Sequence, residues 1–141
     1  MCGICGVMRG DAGGDADRAL VERMNASLIH RGPDDAGVFA DGPCALGARR
    51  LSVIDVEHGH QPMVSDDGRY AVVFNGEIYN ASELRAELAG LGHAFRTRCD
   101  TEVLLHGCMQ WGETAVERLN GMFAFAFYDA ETKRLLLARD R

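Results

Sequence analysis

Met122-Phe123-Ala124-Phe125-Ala126-Phe127-Tyr128, then Asp129-Ala130-Glu131-Thr132-Lys133, then Arg134-Leu135-Leu136-Leu137-Ala138-Arg139 reads as a strand, a polar turn and a second strand. Strands joined this closely pair antiparallel, because a parallel pair needs a long crossover. The same signature recurs upstream. Val38-Phe39-Ala40, a turn at Asp41-Gly42-Pro43 and a strand from Cys44 to about Leu51 form another hairpin. Ile4 to Met8 is a short apolar strand, Tyr70 to Phe74 is strongly β-prone, and Ala94 to Thr97 is a further short strand. Residues 55–63 read as a loop and Asp66-Asp67-Gly68 as a turn.

Helices come in two batches. After Gly13-Gly14, Asp15 or Asp17 caps a helix running to about Ile29, with an apolar stripe of Leu20, Val21, Met24 and Leu28. Gly32-Pro33 stops it. Asn80 and Glu83 resemble a capping box before a helix marked by Leu84, Leu88 and Leu91 and ended by Gly92. Asp100 caps a helix through Trp111, and a short one follows from Glu113 to Leu119. This order predicts an α+β fold with antiparallel sheet rather than alternating βαβ units.

The 141 residues suit one domain. They are 47% hydrophobic and 26% charged, enough to bury a core without disulfides or metals. The net charge of -6 repels phosphate backbones, so no nucleic-acid partner is expected. No apolar run suits a membrane span and no signal-peptide pattern opens the chain, so the expectation is a cytoplasmic protein. The odd count of five cysteines argues against a disulfide framework.

Cys2 stands where removal of Met1 would make it the first residue. It would then carry a thiol beside a free α-amine, which titrates near about 7.7–8.0 and can take the thiol proton. Cys2 and Cys5 also form a C-x-x-C, which would serve a redox pair or half a metal site. A thioredoxin-like motif follows a strand and opens a helix, whereas this one leads into a strand. A zinc site needs a second pair, and Cys99 and Cys108 are too far apart to supply it, so no metal is expected.

Phe74-Asn75-Gly76-Glu77 follows a strand. Asn75-Gly76 is an ordinary turn dipeptide. It also offers amide donors and a closely approachable N–H for an oxyanion, a role worth about 3 kcal/mol per donor. Glu77 would face a substrate ammonium. Arg49 or Arg50, before Leu51 and Ser52, suits a carboxylate. Asp100 is either a plain cap or, facing a pocket, an anion for an α-amine. Such groups fit an amino-acid substrate.

Met1-Cys2-Gly3-Ile4-Cys5-Gly6, His30-Arg31-Gly32-Pro33-Asp34, Arg50-Leu51-Ser52-Val53-Ile54-Asp55, Asn75-Gly76-Glu77-Ile78-Tyr79-Asn80, Asp100-Thr101-Glu102-Val103-Leu104 and Gly121-Met122-Phe123-Ala124-Phe125-Ala126 occur in that order. The set resembles class II glutamine amidotransferases, in wording most like the glutaminase domain of asparagine synthetases. The resemblance implies an Ntn-hydrolase αββα sandwich over residues 1–141, incomplete at its C-terminal end. It implies that Cys2 forms a glutamyl thioester and that Asn75 and Gly76 hold the oxyanion. Arg50 binds the substrate carboxylate, and Asp100 with Glu77 binds the α-amine. Leu51, Ser52, Val53 and Ile54 line the pocket. The glutaminase step needs no cofactor. ATP and Mg belong to a synthetase domain, expected in cis in a longer protein and absent from these residues. A homodimer is compatible with the family. The alternatives are an inactive fragment serving interaction or regulation, another class II amidotransferase, or a C-x-x-C redox or metal protein.

Overall fold

Alternation of side chains decides the layering. In the computed structural model, which describes residues 2–10, 16, 18–51 and 59–141, the first sheet is built from β1 (Gly3–Met8), β2 (Asp35–Asp41) and β3 (Cys44–Arg50). The second is built from β4 (Met63–Val64), β5 (Tyr70–Ile78), β6 (Gly121–Asp129) and β7 (Arg134–Arg139). Among the described residues the strand orders are β1-β3-β2 and β4-β5-β6-β7, and every pairing is antiparallel.

Along β5 and β6, Val72, Phe74, Phe123, Phe125 and Phe127 face α2 (Ala81–Gly90) and α3 (Asp100–Trp111). Their neighbours Val73, Ala126 and Tyr128 face the first sheet, where they meet Cys44, Leu46 and Ala48. The period of two thus feeds two cores from the same strands. α1 (Arg18–Ser27) covers the other face of the first sheet. Gly47 permits that approach, since a β-carbon there would lie 2.9 Å from Cys5 Sγ and 3.0 Å from Val21. The result is the expected four-layer αββα sandwich. A 3₁₀ turn at Gly112–Thr114 and a short α4 (Ala115–Arg118) lead from α3 back to β6.

Several local expectations change. Gly13, Gly14 and the cap candidates Asp15 and Asp17 lie outside the described residues. α1 turns its inner row to Val21 and Asn25, while Leu20 is exposed. Buried Asn25 donates to the carbonyls of Gly37 and Ala48, both at 3.1 Å, and so ties α1 to β2 and β3.

The capping box at Asn80 does not form. Its side chain instead accepts from Asn120 N–H and donates to Arg118 O. α3 likewise has no side-chain cap bond at Cys99. These helices are held by core burial, about 2 kcal/mol for each fully buried leucine such as Leu88 and Leu104. Leu91, by contrast, is exposed beyond the end of α2.

Ala94 to Thr97 is not a strand. The N–H groups of Arg96 and Thr97 are taken by the Glu102 carboxylate at 2.8 and 2.7 Å, so no strand ladder is available to them. Asn75-Gly76 is not a turn, because both residues continue β5 opposite Ala124 and Phe123.

Candidate active site

β1 carries Cys2 at its leading end. The Cys2 carbonyl accepts two long hydrogen bonds from Arg31, Nε and Nη2 each at 3.3 Å. Gly32 brings Arg31 there: a β-carbon on it would lie 2.5 Å from the Arg49 carbonyl carbon and the Arg50 nitrogen. The loop is also held by Asp34 N–H donating to Arg50 O at 3.1 Å. Arg31 was not among the site candidates read from the sequence. Its presence in the His30-Arg31-Gly32 motif was the available signal.

Cys5 faces away from Cys2, toward α1, with its Sγ 4.0 Å from the Val21 carbonyl. The C-x-x-C therefore does not converge. Burial pushes the Cys44 and Cys108 thiols up to about 11 and about 12, so they stay protonated and unreactive at neutral pH.

Of the two adjacent arginines, strand alternation separates the roles. Arg49 donates to the Asn25 carbonyl at 3.3 Å, beneath α1. Arg50 is buried on the opposite side. Gly59 packs against its guanidinium, and a β-carbon on Gly59 would come within 2.6 Å of Cζ.

From the second sheet come Asn75, Gly76 and Glu77. Gly76 has φ +152°, and a β-carbon on it would overlap the Met122 carbonyl oxygen and lie 2.7 Å from Phe123 Cα. Only a residue without a side chain keeps this strand pair closed.

α3 supplies Asp100 as its first helical residue rather than its cap. The Asp100 carboxylate accepts from the Ile78 N–H at 3.0 Å, which locks the helix start to the end of β5. Burial raises its pKa above the usual aspartate value, Glu77 adds to the rise, and the Ile78 N–H opposes it. The folded state thus binds the proton more tightly than the unfolded chain. The contribution of Asp100 to stability is full below the usual aspartate pKa and declines as pH rises through the raised value. Asp100→Asn removes this ionisation and is expected to flatten the decline. Urea denaturation from about pH 4 to about pH 7 should leave the variant at least as stable as the parent at the upper end. A variant clearly less stable at every pH would contradict the assignment.

Cys2, Arg50, Leu51, Asn75, Gly76, Glu77 and Asp100 line one cleft of about 280 Å³. Ser52, Val53 and Ile54 lie outside the described residues. Gln61, Cys99 and Thr101, which the sequence did not single out, line the same cleft. A larger cleft of about 470 Å³ holds His60, Glu102 and His106. Its buried carboxylate is already committed, since Glu102 is held by Arg96, Thr97 and, at 3.8 Å, His106. Volume therefore does not select the site, whereas the gathering of a thiol, a cation, two carboxylates and amide donors does.

An antiparallel αββα sandwich with a cysteine leading its first strand into such a cleft is the Ntn-hydrolase arrangement. Residues 1–141 match the family described as "Glutamine amidotransferase domain", and the chain belongs to it. It is 42% identical over 143 residues to asparagine synthetase [glutamine-hydrolyzing] 3 of Bacillus subtilis, covering 100% of this chain and 23% of that protein. It is 46% identical over 142 residues to asparagine synthetase [glutamine-hydrolyzing] 1 of the same organism, covering 99% and 22%. The chain thus spans under a quarter of these curated relatives. Among solved structures, glutamine phosphoribosylpyrophosphate amidotransferase from B. subtilis superposes with a TM-score of 0.78 at 23% identity, over 97% of this chain and 37% of that one. At that identity the likeness concerns the fold.

Proposed function

We propose that the chain hydrolyses glutamine to glutamate and ammonia, with Cys2 as nucleophile after loss of Met1. Convergence of Cys2, Arg50, Asn75, Gly76, Glu77 and Asp100 on one cleft carries this proposal. Arg50 takes the substrate α-carboxylate, and Asp100 with Glu77 takes the α-ammonium. The side-chain amide is thereby aimed at Cys2 Sγ. The thiol proton moves to the Cys2 α-amine as the sulfur–carbon bond forms. The Asn75 amide and the Gly76 N–H stabilise the oxyanion. The amine then protonates the leaving nitrogen, and ammonia departs from a glutamyl thioester. Water, deprotonated by the same amine, attacks the thioester carbonyl. The sulfur leaves, recovers its proton, and glutamate is freed. No step calls for a metal or cofactor.

The relatives' printed names support asparagine synthesis as the use of the ammonia, and we place that use in an ATP-dependent synthetase domain of a longer protein, as the family resemblance implies. Intact-mass measurement tests the first requirement. The purified protein should lack Met1, and a glutamine-mimicking chloroketone should add once, at Cys2, in step with loss of ammonia release. Labelling at Cys99 or Cys108 instead would overturn the assignment.

A further inference from the structure

Gln61 occupies a position that none of the ordered motifs explains. It is 4% exposed, yet its side chain borders the cleft that holds Cys2. Its Oε1 accepts from the Phe74 N–H at 2.7 Å, and its Nε2 donates to Thr101 Oγ1 at 3.3 Å. The pairing of β4 with β5 involves Val72 and Ala71, so the Phe74 N–H lies beyond the end of β4. The Gln61 amide takes the place of the missing strand there. From behind, Gln61 presses on β2, because a β-carbon on Gly37 would overlap the Gln61 carbonyl oxygen. One side chain therefore spans from the residue before Asn75 to the residue after Asp100, and the backbone that carries it is braced on the other sheet.

We propose that Gln61 is a positioning residue that fixes the span between the Asn75–Gly76 donors and the Asp100 carboxylate. It thereby sets the length of amino-acid amide the cleft accepts. This rests on the glutaminase function proposed above. With the α-ammonium held at Asp100, the side-chain carbonyl must reach the donors. Asparagine is one methylene shorter and falls short of them. A held span rejects it, and a slack span does not. Misplacement by about an ångström is enough to cost rate heavily.

The test compares Gln61→Met, which keeps volume but loses both bonds, with Gln61→Glu, whose carboxylate accepts from both the Phe74 N–H and the Thr101 hydroxyl. Thr101→Val breaks only one link and guards against failure of Gln61→Met to fold. For each protein, ammonia release is measured with glutamine and with asparagine, alongside Tm. Gln61→Met is expected to lower kcat for glutamine by about tenfold or more. KM should change by less than about threefold, because Arg50 and Asp100 still bind the ends of the substrate. The preference for glutamine over asparagine should narrow by about tenfold. Thr101→Val should narrow it in the same direction, and Gln61→Glu should keep it within about threefold of the parent. Equal losses on both substrates, tracking Tm, would mean that Gln61 is only structural. Unchanged selectivity in Gln61→Met and Thr101→Val would also overturn the inference. A parent protein that releases no ammonia from glutamine would instead defeat the proposed function.

Discussion

A chain with a peptide fused ahead of Cys2 is expected to release no ammonia from glutamine, and proteolytic removal of that peptide to expose Cys2 is expected to restore release. Acylating the α-nitrogen turns it into an amide, which has no basic lone pair to receive the thiol proton. It also adds chain where the substrate must lie, beside the carbonyl that Arg31 holds. Cys2→Ala removes the nucleophile itself and should lower release at least about 10³-fold, since the remaining groups bind the amide but give it no covalent route. The fusion is the sharper of the two experiments because the thiol is still present. The same sample assayed before and after cleavage controls for folding, and equal rates in the two states would exclude the α-amine as base.

Gly76→Ala is expected to damage stability and chemistry together. The new β-carbon meets backbone on both counts, the Met122 carbonyl oxygen and Phe123 Cα. No side-chain rotation relieves that overlap, so β5 and β6 must part locally, at a cost of about 3 kcal/mol. The Gly76 N–H moves with the strand, and ammonia release should fall on the order of 10²-fold or more. Gly68→Ala is the control. Gly68 also has positive φ, +74°, but a β-carbon there meets nothing within 4 Å. It should lose about 1 kcal/mol and keep its activity. Urea denaturation and steady-state kinetics on the pair separate the two effects. A Gly76→Ala protein as stable and active as the parent would remove Gly76 from the site.

How far the sequence could be read depends on whether a residue's partner is local. The closing hairpin was legible because both strands and their turn lie within one short stretch, and β7 runs from Arg134 to Arg139 as expected. Asn75-Gly76 misled because turn propensity is local, while its pairing with Ala124 and Phe123 is not. Ala94 to Thr97 misled for the same reason: its N–H groups are claimed by a carboxylate from α3. The motif residues Cys2, Arg50, Asn75, Glu77 and Asp100 were legible as a set, and the structure brings them to one cleft. Arg31, Gln61 and Thr101 were not, because their partners are distant backbone and side-chain atoms that no spacing rule reveals.

Cys2, the proposed nucleophile, and Arg50 belong to one sheet, the proposed oxyanion donors Asn75 and Gly76 to the other, and Asp100 to a helix layer beyond. The site therefore exists only while the halves of the sandwich stay clamped, and one seam does the clamping. Its buried centre is Cys44, Leu46, Ala48, Val73, Ala126 and Tyr128, and the Tyr128 hydroxyl donates across it to the Asp41 carboxylate at 3.2 Å. A loosened seam would leave each sheet intact and each residue chemically competent, yet separate the attacking sulfur from the groups that must receive the charge it creates. Catalytic competence in this molecule is a property of how two surfaces are docked before it is a property of any residue on either of them.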